Sequence, residues 1–203
     1  MDKRINTVDD LIAAVDEYGI LPFWSDDGFS AWGMSAINFN SLWYVREQAV
    51  NSLKIAYGRF VNKKATFVSL EVLPYLCALR RDGYDFDSLE DEGKAPNRES
   101  LIMHAVGDKP APSYALNKSL GIKGFDGAVA SLQNKTYLCL TFAKSSMGTA
   151  LLNRPEDVFG YDFVRAKYAL SARENADEIS ARAAKALKEF SEKERAKILS
   201  PAI

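Results

Sequence analysis

Three short runs of helical periodicity followed by two β-rich runs, all between Arg98 and Leu152, constrain the fold of this chain more than any other feature of its sequence. The first run, Arg98 to Val106, leads through a polar loop with Pro110 and Pro112 to Ser113, which is placed to cap a short helix over Tyr114 to Leu120. After Gly121-Ile122-Lys123-Gly124 the spacing predicts a third helix from Phe125 to Leu132, with Phe125, Val129 and Leu132 on one face. Thr136 to Phe142 alternates and is rich in β-formers. Ser145-Ser146-Met147-Gly148 reads as a turn tip, and Thr149 to Leu152 as the returning strand. Helix, helix, helix and hairpin in that order is the plan of a helix-turn-helix unit with a wing.

The same segment holds a local excess of positive charge. Lys or Arg stands at 98, 109, 118, 123, 135, 144 and 154, against acids at 99, 108 and 126. Lys118, Lys123, Lys135 and Lys144 fall where phosphate contacts of such a unit would lie, so double-stranded DNA is the expected partner. Only this local argument is available, because 26 basic and 27 acidic residues leave a net charge of −1.

The rest of the chain reads as an α+β surround. Asn6 to Asp10 offers a cap and acidic first-turn residues for a helix with Val8, Leu11, Ile12 and Val15 on one side, stopped by Gly19. Ile20 to Trp24 continues extended, and residues 25–42 read as irregular and aromatic-rich, either lining a pocket or, as favoured here, packing a loop-rich core. A helix or a strand is open for 41–50. Lys54 to Val61 and Ala65 to Ser69 form a hairpin about Asn62-Lys63-Lys64, and Ser69 is expected to cap a helix over Leu70 to Arg81. The carboxylates from Asp82 to Glu92 are read as a turn answering Arg80 and Arg81, since the EF-hand glycine and terminal glutamate are missing. One long alanine-rich amphipathic helix, Asn175 to Leu199, is expected to pack on the body. The division that follows is an N-terminal α+β region at 1–94, a winged helix at 95–163 and a C-terminal helical segment at 164–203.

Metal and compartment are bounded by the cysteines. Cys77 and Cys139 are far apart in apolar surroundings, and His104 is the single histidine, too few ligands for zinc. Two buried free thiols, no metal and no cofactor are expected. With no apolar run of signal or membrane-span length, a cytoplasmic chain without membrane contact is expected.

Several strings taken in order resemble the bacterial AlkZ-related family, distant kin of the AlkZ-type winged-helix DNA glycosylases. They are Gly19 to Phe23, Ala56 to Phe60 with Lys63 to Ser69, Arg80 to Asp87, Lys123 to Asp126, Leu132 to Leu138 and Pro155-Glu156, spanning about residues 19 to 161. The resemblance implies a winged helix and an association with DNA. The glycosylases are known for a Gln-x-Gln or Gln-x-Asp pair, and the nearest string here is Gln133-Asn134-Lys135. Gln133 is the candidate for orienting a water, but Lys135 puts a cation where an oxocarbenium-like charge would develop. The expected function is therefore DNA binding without base excision. One alternative is a glycosylase acting on alkylated or cross-linked bases, with Gln133 and acid help from Asp82 or Asp85. Another is a protein-interaction module with Trp24, Trp32 and Trp43 as its contact patch. His104 enters none of these readings.

Overall fold

The computed structural model describes residues 5–23, 39–107, 109–144 and 148–202. The aromatic segment through Asn38, with Trp24 and Trp32, and the turn tip at 145–147 lie outside the described residues.

Helix α1 (Val8–Tyr18) opens with a capping box in which Thr7 and Asp10 exchange side-chain and backbone hydrogen bonds. Gly19 ends it at φ 71°, and a Cβ there would meet the Arg182 carbonyl and Val72 at 3.0 Å, so only glycine lets the C-terminal segment approach. Strand β1 (Ile20–Pro22) follows, then helix α2 (Phe39–Asn51), which resolves the open choice at 41–50. Strands β2 (Ile55–Val61) and β3 (Lys64–Ser69) pair across Asn62-Lys63, both left-handed at φ 50° and 59°, as a two-residue hairpin turn requires. The antiparallel order is β1-β3-β2.

Helix α3 (Leu73–Arg81) starts later than its expected cap. Pro74 lacks an N–H and is tolerated only in the first turn, so a helix from Leu70 would have lost an internal bond. Ser69 instead accepts the Val72 N–H through Oγ at 3.3 Å and shapes the turn before it. The expected acidic turn holds a further helix, α4 (Phe86–Asp91), which buries Phe86 and Leu89.

Next come α5 (Asn97–Val106), β4 (Ala111–Pro112), α6 (Ser113–Leu120), α7 (Phe125–Asn134), β5 (Cys139–Phe142) and β6 (Ala150–Asn153). Ser113 lies inside α6 and makes no capping bond. The second sheet is antiparallel in the order β4-β6-β5, with Ala111 opposite Leu152 and Cys139 opposite Asn153. The two-residue strand β4 has too little pattern to be read from sequence. Helices α8 (Pro155–Phe159) and α9 (Tyr161–Arg165) lead into the C-terminal segment.

The single long helix expected there is three helices, α10 (Ala172–Arg182), α11 (Ala184–Glu189) and α12 (Glu192–Ile198). Ala183 leaves helical geometry, Phe190 is extended, and Ser191 starts a new helix through a capping box with Glu194. The break lets Ile179, Ala183, Leu187 and Ile198 all reach one apolar cluster with Leu73, Leu76 and Leu79 of α3. A second cluster joins α1, α2 and the first sheet to Phe142, and a third lies beneath α5, α7 and β6. No helix of the described residues is long and apolar enough to cross a membrane.

All nine residues of α3 are buried, including Arg81. Its Nε donates to Thr136 Oγ1 at 3.2 Å, Nη2 to the Thr136 carbonyl at 2.6 Å, and Nη1 to Tyr168 OH at 2.9 Å and to Glu156. Thr136 is itself held at φ 66°, a left-handed conformation that a β-branched residue rarely adopts, and Arg81 grips both of its oxygens. Breaking a buried ion pair from one side leaves an uncompensated charge, so Arg81→Met is expected to lose about 3–5 kcal/mol of stability in urea denaturation. A loss below about 1 kcal/mol would show that the cluster does not hold the fold.

Cys77 and Cys139 are both buried and free. Burial pushes the Cys77 thiol up to about 11 and raises Cys139 as well. Neither is expected to react with a thiol reagent at neutral pH until the protein unfolds. Stoichiometric labelling of the folded protein would contradict that placement.

Candidate nucleic-acid interface

Helix α7 faces inward through Phe125, Val129 and Leu132, the side its spacing predicts, and leaves Asp126 and Gly127 exposed. The helix before it, α6, buries Leu116 and exposes Tyr114, Asn117 and Lys118. Lys118 lies in the last turn of α6 and Lys123 in the connection to α7, and both side chains are exposed. Tyr114 is 70% exposed, four residues before Lys118, so ring and ammonium share one helix face. Sequence reading passed over Tyr114, although that spacing was its signal.

Lys144 is exposed just after β5 and lines a cleft of about 670 Å³ with Tyr44, Gln48 and Asn51 of α2. The hairpin is fixed there by Asn51, whose amide donates to the Phe142 carbonyl at 3.0 Å and accepts the Phe142 N–H at 2.9 Å. Lys135 is placed differently. Its ammonium lies 3.1 Å from Glu99 Oε2, both side chains are nearly buried, and the pair ties α5 to the end of α7.

Gln133 is 2% exposed, and its Oε1 accepts the Arg59 backbone N–H at 2.7 Å. That N–H comes from the irregularity between Gly58 and Val61, where the β2–β3 ladder shifts register. A Cβ at Gly58 would sit 2.9 Å from the buried Phe60 ring, so any larger residue there would have to displace that ring. Gln133 thus satisfies a backbone donor that the bulge withdraws from the sheet. Neither acid weighed as its helper shares a hydrogen bond with it. Asp82 is exposed at the end of α3. The carboxylate of Asp85 bonds Tyr168 at 3.2 Å and pairs with Arg165 at 3.3 Å. His104 is exposed and lies 3.0 Å from Glu90.

A second feature escaped the sequence. Arg46 of α2 is 6% exposed, with its guanidinium 4.0 Å from the Trp43 ring centre and 4.3 Å from that of Phe142. Nη2 meets Glu47 at 3.3 Å, and Nε has no hydrogen-bond partner. Burial raises the pKa of the neighbouring Tyr57 phenol, with Arg46 acting against that rise. These residues border a cleft of about 390 Å³ that Arg59 and Leu140 also line. Arg46 follows Trp43 by three residues, a stacking signal legible only once 39–51 is known to be helical. Among the described residues no group of three His, Cys, Asp or Glu is placed to hold a metal ion.

A family model described as AlkZ related matches residues 5–200 of the chain. No curated protein and no solved structure matches it.

The placement of Gln133 sets an expectation for its substitution. Gln133→Ala removes the acceptor of a part-buried donor and should cost about 1 kcal/mol of stability, whereas Gln133→Glu, which keeps an acceptor, should cost less. Equal stability of wild type and Gln133→Ala in chemical denaturation would remove the structural role.

Proposed function

The chain belongs to the AlkZ-related family, and we propose that it binds double-stranded DNA through a winged helix at 95–163 and performs no base excision. The observation that carries this reading is the element order α5-β4-α6-α7-β5-β6 with strands paired β4-β6-β5. Three helices, a short strand between the first two, and a hairpin whose second strand pairs with it are the parts of a winged helix-turn-helix. On this reading α7 approaches the groove. Lys118 and Lys123 contact phosphate beside it, and Lys144 does so from the wing. Tyr114 adds a ring to the same face of α6 as Lys118. Lys135 supports the unit from within through Glu99.

The lack of chemistry rests on Gln133. A water-orienting amide needs a free acceptor at an open site, and this one is buried with Oε1 already on the Arg59 N–H. A second reading has one observation in its favour, the aromatic cleft beside Arg59. Its walls of Trp43, Tyr57 and Phe142 and its Glu47 carboxylate have the character of a pocket for a flipped base.

Fluorescence anisotropy with a short labelled duplex at about 50 and about 200 mM salt tests the first reading, because phosphate-dominated binding weakens steeply over that range. Changing Lys118, Lys123 and Lys144 together to Glu should abolish most of the affinity and flatten the salt slope by about three. Absence of binding at either salt, or a triple variant that binds like wild type, would sink the DNA reading. Abasic product from alkylated or cross-linked duplexes in a single turnover would move the function to the second reading.

A further inference from the structure

Arg80 is buried to 3% exposure in the last turn of α3, yet among the described residues no carboxylate lies within ion-pair distance of it. Its Nη1 donates to the Ser200 carbonyl at 3.3 Å, and its buried Nε has no partner. Burial alone lowers its pKa to about 10, with no neighbouring anion acting against the fall. A guanidinium taken out of water without a counter-charge is costly, and proteins rarely leave one so.

The surroundings of Arg80 are a cavity of about 340 Å³ rather than close packing. Lys63 in the β2–β3 turn and Lys197 of α12 line it, with Asn62, Asn134 and Ser200, and among the described residues no acidic side chain does. Lys63 and Lys197 are exposed, so their ammonium groups are free to swing over the mouth. A carboxylate does reach the rim, where Asn62 Nδ2 donates to Glu194 Oε1 at 3.5 Å, and Glu194 is otherwise committed to its capping box. The geometry of the cavity is also fixed. The Ala202 N–H donates to the Arg80 carbonyl at 3.2 Å, and the left-handed backbone of Asn62 and Lys63 sets the direction of the turn.

We infer that this cavity binds a phosphoryl oxyanion, with Arg80 as the buried anchor and Lys63 and Lys197 closing over the anion. Three cations with no acid among the described lining residues specify an anion. Two amides beside a planar, fork-like guanidinium suit a group with several acceptor oxygens better than a halide. The anion is either a free phosphate or a phosphate of a nucleic-acid backbone, and the site is distinct from Lys118, Lys123 and Lys144. The inference does not depend on the DNA reading and survives its failure.

The test is thermal denaturation of the full chain titrated with inorganic phosphate against chloride at matched ionic strength. Phosphate is expected to raise Tm saturably where chloride does not, as a ligand specific to the folded state must. Arg80→Met, an apolar replacement of similar length, should fold with undiminished Tm in chloride and lose the phosphate response. Lys63→Asn, chosen because asparagine tolerates the left-handed turn, and Lys197→Ala change exposed residues and do not depend on how Arg80→Met folds. Each should weaken phosphate about tenfold, the loss of one charge-assisted contact. If these two variants also weaken a short duplex, the anion is a backbone phosphate; if duplex affinity is unchanged, it is a free one. A wild-type Tm that responds equally to phosphate and chloride overturns the site, as does a phosphate response undiminished in Lys63→Asn and Lys197→Ala.

Discussion

The Arg81 guanidinium is the point at which α3 is joined to three segments distant from it in sequence. It leaves α3 and is gripped by Thr136, which joins α7 to β5, by Glu156 of α8 and by Tyr168 beyond α9. The Tyr168 hydroxyl passes the link on to Asp85, which also holds Arg165. A lysine in this position would have no planar fork with which to engage these partners at once. The cluster also explains why α3 is polar at one end and yet buried throughout. The apolar stretch of α3 packs the first core, and its terminal arginine binds the segments that close over it.

The parts of this fold legible in the sequence were those written in local pattern. The α1 cap, the hairpin about Asn62-Lys63 and the inward face of α7 follow from residues within one turn of one another. What stayed hidden depended on partners far along the chain. Nothing near Lys135 announces that Glu99, 36 residues away, will take its charge. Gln133 reads as a polar residue at the end of a helix until the β2 bulge, 74 positions upstream, presents an N–H to it. The broken C-terminal helix is a middle case. Ser191 and Glu194 spell a capping box plainly, but alanine-rich periodicity runs through them and speaks for continuity. Local capping won because the break lets both halves turn apolar residues onto α3.

Three arginines among the described residues are buried, and they show how differently one chain compensates the same charge. Arg81 has a carboxylate, a phenol and two oxygens of Thr136. Arg46 is packed against Trp43 and Phe142 and touches Glu47, so aromatic faces take the place of a second anion. Arg80 has one carbonyl and a cavity. Arg46 and Arg80 each keep a buried Nε without a partner, but Arg80 is the one of the three with no carboxylate beside it among the described residues, and a buried charge without a counter-charge is a better pointer to a ligand than any surface excess.

That contrast also bears on how a chain with a net charge of −1 is to meet an anionic partner. Arg46, Arg80, Arg81 and the paired Lys135 are withdrawn from the surface, so they contribute little to any long-range attraction of a duplex. On the proposed reading, attraction would come at short range from lysines that remain exposed, Lys118, Lys123 and Lys144. Screening at physiological salt confines each of these to about 8 Å. Encounter with DNA would then owe little to electrostatic steering, and retention would owe much to geometry, which a hairpin pinned by both hydrogen bonds of Asn51 can supply. The same reasoning separates a surface that positions a duplex from a cavity that holds one anion. The first needs several exposed cations at the right spacing, and the second needs one buried cation that nothing else in the protein satisfies.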